Sequence, residues 1–396
     1  MTVRRWLSIL ALAFVLGGIT RNAMLVVLTT VMAVVVLITD WWQRHSLDRV
    51  IYRRRFFYTR AFPGEVVNLT LEVENRKFLP LSWLRASDSW PKAVGPEDLE
   101  LLSPSHMADH GYLTHIFSLR WFGKVCRSYD LAFRKRGEYS IGPLVLSSGD
   151  LFGIHERIMD LEQIDRVTVF PKLIPVEQLD LTAEGPFGDA KARRKLFEDP
   201  NRPVGVRDYH PEDSFRRVHW PATAHTGQLQ VKMFQPTTSM VLMLCLNVST
   251  FARYWEGVYP ELLEHLISVT ATLAMQGIQA GYRVGLISNG CLTNSDQPFR
   301  IPPGRLPRQL AHLLTALAGV TSITIGSFES FLLKEAPRVP YGSTLVIITA
   351  TTTPELVETL LRLKRHERQI TLLSLAQDRP PFIPGIRTVH RPYQLS

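Results

Sequence analysis

A chain of 396 residues is too long for a single ordinary domain and has room for two moderate domains with additional segments. Its formal net charge of +9 could indicate nucleic-acid binding, but no nucleic-acid-binding motif occurs. Much of the positive charge follows an apolar start, in a run that contains Arg44, Arg49, Arg53, Arg54, Arg55 and Arg60. Such a run is typical of a segment next to anionic lipid head groups, so we expect no nucleic-acid partner.

Two apolar runs, 6–20 and 23–39, open the chain and are separated only by Arg21 and Asn22. About 20 apolar residues cross a bilayer, a length that the second run reaches with its interfacial ends and the first approaches. A cleaved signal peptide is the alternative interpretation. Because the second run follows almost without a gap, the pattern favours a membrane anchor in the form of a tight helical hairpin over residues 1–43.

The arginines on both outer flanks of this hairpin place both of its ends in the cytoplasm, according to the positive-inside rule. The three cysteines, Cys126, Cys245 and Cys291, are odd in number and scattered. Two of them lie in or beside apolar runs, which favours buried thiols over disulfides. Both observations agree with a chain whose bulk is cytoplasmic.

From residue 62 the pattern changes to short segments in which apolar and polar residues alternate. The clearest is 65–74, which has the period of a strand with one buried face. Further segments of this kind are 81–87, 114–121, 125–134, 137–141, 144–147 and 167–170. Short strands separated by Gly, Pro, Asn and Asp predict an antiparallel, sandwich-like domain over residues 62–172.

Three histidines in this domain, His106, His110 and His115, could form a metal site. The first two are spaced i, i+4, which on a helix would place both rings on one face for zinc. A proline before them and Gly111 after them argue against such a helix, and the glutamate of an H-E-x-x-H motif is missing. We therefore favour a group of loop histidines, with a metal-dependent hydrolase as the alternative.

Four continuous apolar runs in the second half, 240–246, 282–288, 344–349 and 370–375, are typical of buried parallel strands. Amphipathic patterns between them predict helices from Pro260 to Gly277, from Leu306 to Gly319, and after an N-cap at Thr353. The alternation predicts a doubly wound parallel sheet with helices on both faces.

Ligands of such sheets bind beyond the carboxyl ends of the strands, here the loops 247–251, 289–293 and 350–353. None of these loops carries a phosphate-binding glycine pattern, and no G-x-S-x-G elbow occurs. We therefore expect that this chain binds no nucleotide.

The segment 207–234 carries the pattern R-x-Y-x-x-x-D-x-x-R-x-x-x-W-x-x-[ST]-A followed by Leu-x-Val. Its residues are Arg207, Tyr209, Asp213, Arg216, Trp220, Thr223, Ala224, Leu229 and Val231. This pattern resembles the signature of the bacterial domain of unknown function 58 family, with departures at Glu212 and His225. The resemblance implies a membrane hairpin, a β domain and a C-terminal domain similar to von Willebrand factor type A.

The resemblance also implies a partner, a MoxR-type AAA+ ATPase, and a location in the bacterial inner (plasma) membrane with two passes. No nucleophile, base and orienting group can be assigned from the sequence, which favours structural roles for the signature. An arginine, Arg207 or Arg216, would pair with Asp213 and fix a loop, and Trp220 would fill the seam between strands.

A von Willebrand-type metal site needs D-x-S-x-S after the first strand, a threonine from a second loop and an aspartate from a third. This chain offers Asn247, Ser249 and Phe251, and then Ala350 in place of the later aspartate. Mg²⁺ prefers charged oxygen ligands in an octahedral array. We therefore predict a degenerate site that holds no functional metal, and no cofactor.

The predicted fold class is α/β plus all-β in five regions. They are a transmembrane helical hairpin (1–43), a basic juxtamembrane segment (44–61), a β-rich sandwich-like domain (62–172), a linker with the signature segment (173–238), and a von Willebrand factor A-like α/β domain with a degenerate metal site (239–396). The predicted function is a membrane-anchored, non-enzymatic scaffold or adaptor. An outward-facing adhesion module is an alternative that requires the opposite topology.

Overall fold

A computed structural model of the chain describes residues 3–150, 156–175, 197–211, 213–237, 241–293, 295–366 and 368–393. The chain is of mixed α/β class and forms two compact units, Met1–Val169 and Phe170–Ser396.

The first unit begins with helix α1 (Val3–Ile19) and helix α2 (Ala23–His45). By length and composition α2 can cross a membrane, whereas the apolar part of α1, Arg5–Ile19, is shorter. The polar residues between the two apolar runs mark the break between the helices. There the side chain of Asn22 accepts a hydrogen bond from the amide of Leu25 at 3.3 Å and caps α2.

Twelve strands follow in the described part of the first unit. They are β1 (Val50–Phe56), β2 (Arg60–Ala61), β3 (Val66–Asn75), β4 (Leu81–Pro91), β5 (Val94–Pro96), β6 (Leu102–Pro104), β7 (His110–Leu119), β8 (Lys124–Phe133), β9 (Gly137–Ile141), β10 (Leu144–Gly149), β11 (Glu156–Leu161) and β12 (Asp165–Val169). They form the sheets β1-β3-β8-β5, β11-β10-β4-β7-β6 and β2-β12-β9.

These sheets share one core. Leu71 of β3, Leu84 of β4 and Val169 of β12 are fully buried in the same apolar cluster. All pairings are antiparallel except that of β2 with β12. The antiparallel strands predicted for this region are therefore present, and they pack as alternating strands with one buried face should.

The structure corrects the interpretation of residues 44–61 as a basic flank, because β1 and β2 lie inside that range. Arg54 of β1 points into the core, and its side chain is 0% exposed. Its Nε and Nη2 donate to the two carboxylate oxygens of Asp88, each at 2.7 Å, and its Nη1 donates to Asp165 at 2.6 Å. This arginine therefore joins three sheets instead of facing lipid head groups.

The second unit contains nine strands and five helices in its described part. The strands are β13 (Phe197–Asp208), β14 (Gln230–Thr237), β15 (Val241–Leu246), β16 (Arg283–Leu292), β17 (Ser295–Gly304), β18 (Val320–Thr324), β19 (Thr344–Thr349), β20 (Gln369–Ser374) and β21 (Arg387–His390). The helices are α3 (Trp220–Thr226), α4 (Pro260–Gln279), α5 (Pro307–Ala318), α6 (Phe328–Glu335) and α7 (Pro354–Arg365).

The large sheet has the order β17-β16-β15-β19-β20-β21, with β18 also paired to β16. The four predicted strands are confirmed as neighbouring parallel strands. The sheet is mixed and therefore differs from the doubly wound parallel sheet predicted, because β17 and β18 run antiparallel to β16. The predicted loop 289–293 is also wrong in part, since β16 continues through Leu292.

Every residue of β15 and β19 is buried, which explains their unbroken apolar runs. Met243 and Cys245 share one core cluster with residues of α6 and α7. The alternate residues Leu242 and Leu244 point to the opposite face of the sheet and are buried as well. Both faces of the central strands are therefore covered.

Candidate functional site

The carboxyl edge of the large sheet carries a group of buried polar side chains. Asn247 and Ser249 follow β15, Asn289 lies near the end of β16, and Thr349 ends β19. Neighbouring parallel strands end at the same edge of a sheet, so the topology brings the four side chains together. Each of the four is at most 5% exposed.

We call these four residues the edge network, because they satisfy one another. Asn247 Nδ2 donates to Thr349 Oγ1 at 3.1 Å, and Asn289 Nδ2 donates to Asn247 Oδ1 at 3.2 Å and to Ser249 Oγ at 3.4 Å. Asn247 Oδ1 also accepts from the amide of Ser249 at 3.1 Å, and Asn289 Oδ1 accepts from the amide of Val248 at 3.0 Å.

The edge network does not fit a divalent cation. Its members are neutral amides and hydroxyls, and both acceptor positions of Asn247 Oδ1 already receive protein donors. Phe251 contributes a ring and Ala350 a methyl group where the metal site of a von Willebrand-type domain would need oxygen ligands. The arrangement instead fixes the loop after β15 to the ends of β16 and β19, as expected for a buried network whose polar groups are satisfied.

Asn289 was not predicted as a site residue, although it bonds to two of the predicted ones. Its signal in the sequence is a polar pair, Ser288-Asn289, inside an otherwise apolar strand. Both side chains are buried, and Ser288 Oγ accepts from the amide of Gly290 at 3.1 Å.

A cavity of about 480 Å³ lies at this edge, beyond the ends of β15, β19 and β20. Phe251, Tyr259 and Tyr393 contribute aromatic surface to it, and Asp378 and Arg379 contribute charge. The position agrees with the expectation that ligands of such sheets lie beyond the carboxyl ends of the strands.

The signature segment, residues 207–234, forms a hairpin with a short helix between its strands. Arg207 of β13 lies opposite Val231 of β14. Its Nη1 and Nη2 donate to the two carboxylate oxygens of Asp213, each at 2.7 Å. Asp213 also accepts from the amide of His210 at 2.9 Å, and these donors hold the pKa of its carboxyl below the usual range.

Further bonds close the hairpin around α3. The Thr223 side chain accepts from the amide of Gln230 at 3.0 Å, and Gln230 Nε2 donates to Asp208 at 2.6 Å. His219 Nδ1 accepts from the amide of Ala222 at 3.1 Å and caps α3. Arg216 lies in a single 3₁₀ turn, Phe215–Arg217, and its side chain lies outside the described part of the chain.

The prediction that Trp220 fills a seam between strands is wrong. Its side chain is 65% exposed at the start of α3. Phe215 is 66% exposed, and its ring lies 5.4 Å from that of Tyr209. The hairpin is closed by the buried Val218 and Val231, which leaves these aromatic side chains facing solvent.

The structure does not bring His106, His110 and His115 together. His106 lies in an exposed turn, and the other two are five residues apart at β7, so they point to opposite faces. His115 is buried, and its Nδ1 lies 3.2 Å from the hydroxyl of Tyr129. The helix that the i, i+4 spacing requires does not form, and the metal-dependent hydrolase loses its ligand set.

Similarity to solved structures is weak. The CARDB domain of a Pyrococcus furiosus protein, described as a complex with di-metal ions, is 9% identical, with a TM-score of 0.20 over 30% of this chain and 91% of that domain. A cohesin module from a Clostridium perfringens family 33 glycoside hydrolase is 8% identical, with a TM-score of 0.21 over 30% of this chain and 97% of the module.

The YeaD protein of Bacillus subtilis, described as uncharacterized, is 24% identical over 266 residues, which are 67% of this chain and 61% of YeaD. The chain thus spans less than two thirds of the length of this relative. A family model described as "Protein of unknown function DUF58" matches residues 205–374. The matched region begins two residues before Arg207 and reaches the last residue of β20, so it contains both the signature segment and the edge network.

Proposed function

We propose that this chain is a membrane-anchored, non-enzymatic adaptor whose second unit binds a MoxR-type AAA+ ATPase. The ATPase is proposed as the partner because the signature segment resembles that of the domain of unknown function 58 family. The observation that carries the adaptor role is the exposure of Phe215 and Trp220 on a hairpin whose own polar groups are paired.

Tryptophan and other aromatic side chains supply much of the binding energy at protein interfaces. Here they lie on a hairpin that the Arg207–Asp213 pair holds in one conformation. A preorganised surface loses less conformational entropy on binding than a flexible loop. The signature segment therefore has the properties of a docking surface.

A non-enzymatic role agrees with the edge network. Its four residues contain no ionisable group, and their hydrogen bonds are made to one another and to the neighbouring backbone. In our proposal the second unit is a von Willebrand factor A-like domain in which this network replaces the metal site. The four parallel strands and the polar loops at their carboxyl edge support this assignment.

In the same proposal α1 and α2 form a two-pass hairpin in the bacterial inner membrane, and the strands of the first unit and the whole second unit lie in the cytoplasm. The apolar length of α2 supports the anchor. The arginines that flank the two helices support the orientation.

Crosslinking in native membranes followed by recovery of the tagged full chain, with and without ATP, tests the partner. We expect an AAA+ ATPase in the recovered complex, and several-fold less of it with a Phe215→Ala/Trp220→Ala chain. Trp255→Ala is the matched control, because Trp255 lies in the same unit and is 66% exposed. Absence of any AAA+ ATPase contradicts the partner, and equal recovery with the double variant contradicts the docking surface.

A further inference from the structure

The end of α2 is joined to the strands of the first unit without a flexible linker. Leu47, two residues after the helix, is 1% exposed in the core. Gln43 Nε2 donates to the carbonyl of Glu156 at 3.0 Å, and Lys77 Nζ donates to the carbonyls of Ser46 and Asp48. The strands nearest to this junction are therefore held at a fixed distance from the helix.

Two loops lie at this junction, the β3–β4 loop (76–80) and the β7–β8 loop (120–123). The amide of Arg76 donates to the carbonyl of Arg49 at 3.0 Å, directly before β1. The buried Asn75 donates from Nδ2 to the carbonyls of Leu79 and Arg120, at 2.9 and 3.0 Å. These bonds fasten the two loops to each other and to the chain that leaves α2.

Both loops expose aromatic side chains. Phe78, Trp121 and Phe122, which we call the aromatic tip, are 75%, 57% and 67% exposed. The rings of Phe78 and Trp121 are stacked, with centroids 5.8 Å apart and an interplanar angle of 10°. Phe122 has a φ of 52°, a left-handed conformation that is unfavourable for a non-glycine residue. Contiguous apolar surface of this kind marks an interaction site more often than chance.

The charge around the aromatic tip is positive. Five basic residues lie at this end of the strands, against the acidic Asp48, Glu72 and Glu74. The basic residues are Arg49, Arg76, Lys77, Arg120 and Lys124. Arg76 pairs with Glu74 and Lys124 with Glu72, so the excess is two positive charges. Aromatic rings beside basic side chains are the composition that binds at the interface of an anionic bilayer.

The distance along the chain also fits a bilayer. From Thr39, the last residue of the apolar run, to Leu47 the chain rises about 12 Å at helical spacing. The head-group layer of one leaflet is roughly 5–8 Å thick, and an aromatic side chain extends by a similar length. A tip beside the end of α2 can therefore reach the interface of the membrane that α2 crosses.

We propose that the aromatic tip inserts into the interfacial layer of an anionic phospholipid bilayer and holds the strands of the first unit against the membrane surface. The inference rests on the membrane anchoring proposed above. It adds a second attachment beside α2 and so limits the tilt of the first unit on the membrane.

The test uses the full chain reconstituted in vesicles that contain phosphatidylglycerol, with an environment-sensitive fluorophore on Phe78→Cys in a Cys126→Ser background. The matched control carries the label on Phe57→Cys. Phe57 is 73% exposed and directly follows β1, roughly 20 Å along that strand from its start at the junction. Melting temperatures in detergent establish that both labelled chains are folded.

We expect spin-labelled lipid head groups to quench the label at position 78 several-fold more than the label at position 57. Iodide in the aqueous phase should quench the label at position 57 more. If the chain floats with the vesicles but the labels at positions 78 and 57 are quenched equally, the proposed insertion of the aromatic tip is wrong, whereas the proposed membrane anchoring is not contradicted. If the chain does not float with the vesicles, the proposed membrane anchoring is wrong. The proposed insertion of the aromatic tip is then wrong as well, because it depends on that anchoring.

Discussion

At the scale of single residues, Arg54 of the first unit is a buried charge with a buried partner. Its side chain and that of Asp88 are both 0% exposed and form a bidentate pair. Removing one partner of such a pair leaves a buried charge uncompensated, which costs about 3–5 kcal/mol. We therefore expect Arg54→Met to lower the unfolding free energy of the first unit by this amount, measured by urea titration in detergent.

Arg55 provides the control for this prediction. It pairs with Glu72, whose side chain is 5% exposed, but Arg55 itself is 61% exposed and Glu72 keeps a second partner, Lys124, at 2.8 Å. Loss of such a partly exposed partner should cost about 0–1 kcal/mol. Arg55→Met should therefore change the unfolding free energy little. A double variant, Arg54→Met/Asp88→Leu, should recover part of the loss, because it removes the isolated carboxylate. Equal effects at positions 54 and 55 would show that burial does not decide the energy of this pair.

His115 is expected to make the stability of the first unit depend on pH. Burial, and secondarily the charge of Arg127, lowers the pKa of His115 to about 4. The pKa of a histidine in the unfolded chain is about 6.5. The contribution of the neutral ring to the unfolding free energy is therefore present above this pH and is lost as the pH falls toward the folded pKa.

We expect the wild-type chain to lose on the order of 2 kcal/mol more than His115→Gln between pH 7 and pH 4, in urea unfolding. The change of His106, an exposed turn residue, to glutamine is the control for the substitution itself and should leave the unfolding free energy at pH 7 close to that of the wild-type chain. Parallel profiles for the wild-type and His115→Gln chains would contradict the prediction.

Substitution of Asn247 tests whether the edge network is a metal site that has lost its ligands. Asn247→Asp removes the donor to Thr349 and buries a carboxylate, so we expect a loss of about 1–3 kcal/mol in the second unit. Mg²⁺ should not restore the stability, because Phe251 and Ala350 still supply no ligand oxygen. A triple variant that adds Phe251→Ser and Ala350→Asp should gain Mg²⁺-dependent thermal stability. Stabilisation of the single variant by Mg²⁺ would contradict this account of the site.

At the scale of elements, the strands that the sequence predicts best are those buried along their whole length. The residues of β15 and β19 are buried on both faces, so their apolar runs stand out. Strand β17 was not predicted, because it lies at the sheet edge and contains Pro298, Pro302 and Pro303, which are unusual in a strand. The antiparallel pairing of β18 depends on β16 continuing past the end of β15, to Gly290 and Leu292, which no local pattern shows.

Side chains with distant partners were the hardest to predict. Arg54 resembles its exposed neighbours Arg53 and Arg55, and only Asp88 and Asp165, 34 and 111 residues away, make its burial possible. The candidate site shows the same limit. The residues of the signature segment could be recognised, but the exposure of Trp220 depends on how the hairpin closes.

The N-cap of α7 is an element whose signal is local, and it is confirmed by the structure. The Thr353 side chain accepts from the amide of Leu356 at 3.2 Å. We expect Thr353→Ala to destabilise the second unit by about 1 kcal/mol in urea unfolding, because the first turn loses its acceptor. Thr353→Ser keeps the hydroxyl and should retain most of the stability. A similar loss in both variants would assign the effect to the methyl group instead of the cap.

At the scale of the whole molecule, the proposed functions depend on which side of the membrane the strands of the first unit and the second unit occupy. An adaptor for an AAA+ ATPase must face the cytoplasm, where ATP is available, whereas an adhesion module must face outward. The chain contains its own reporter of this choice, because Cys126 is exposed while Cys245 and Cys291 are buried. A thiol reagent should therefore label the folded chain only at Cys126, which lies in the same unit as α2.

We expect a membrane-impermeant maleimide to label Cys126 in inside-out membrane vesicles and not in right-side-out vesicles. Burial raises the pKa of the Cys245 and Cys291 thiols, which further reduces their reactivity. Cys126→Ser should abolish the signal in both preparations, and detergent should make both preparations equally reactive. Labelling confined to right-side-out vesicles would reverse the orientation of the units and favour an outward-facing module, since a cytoplasmic ATPase could not then reach the signature segment.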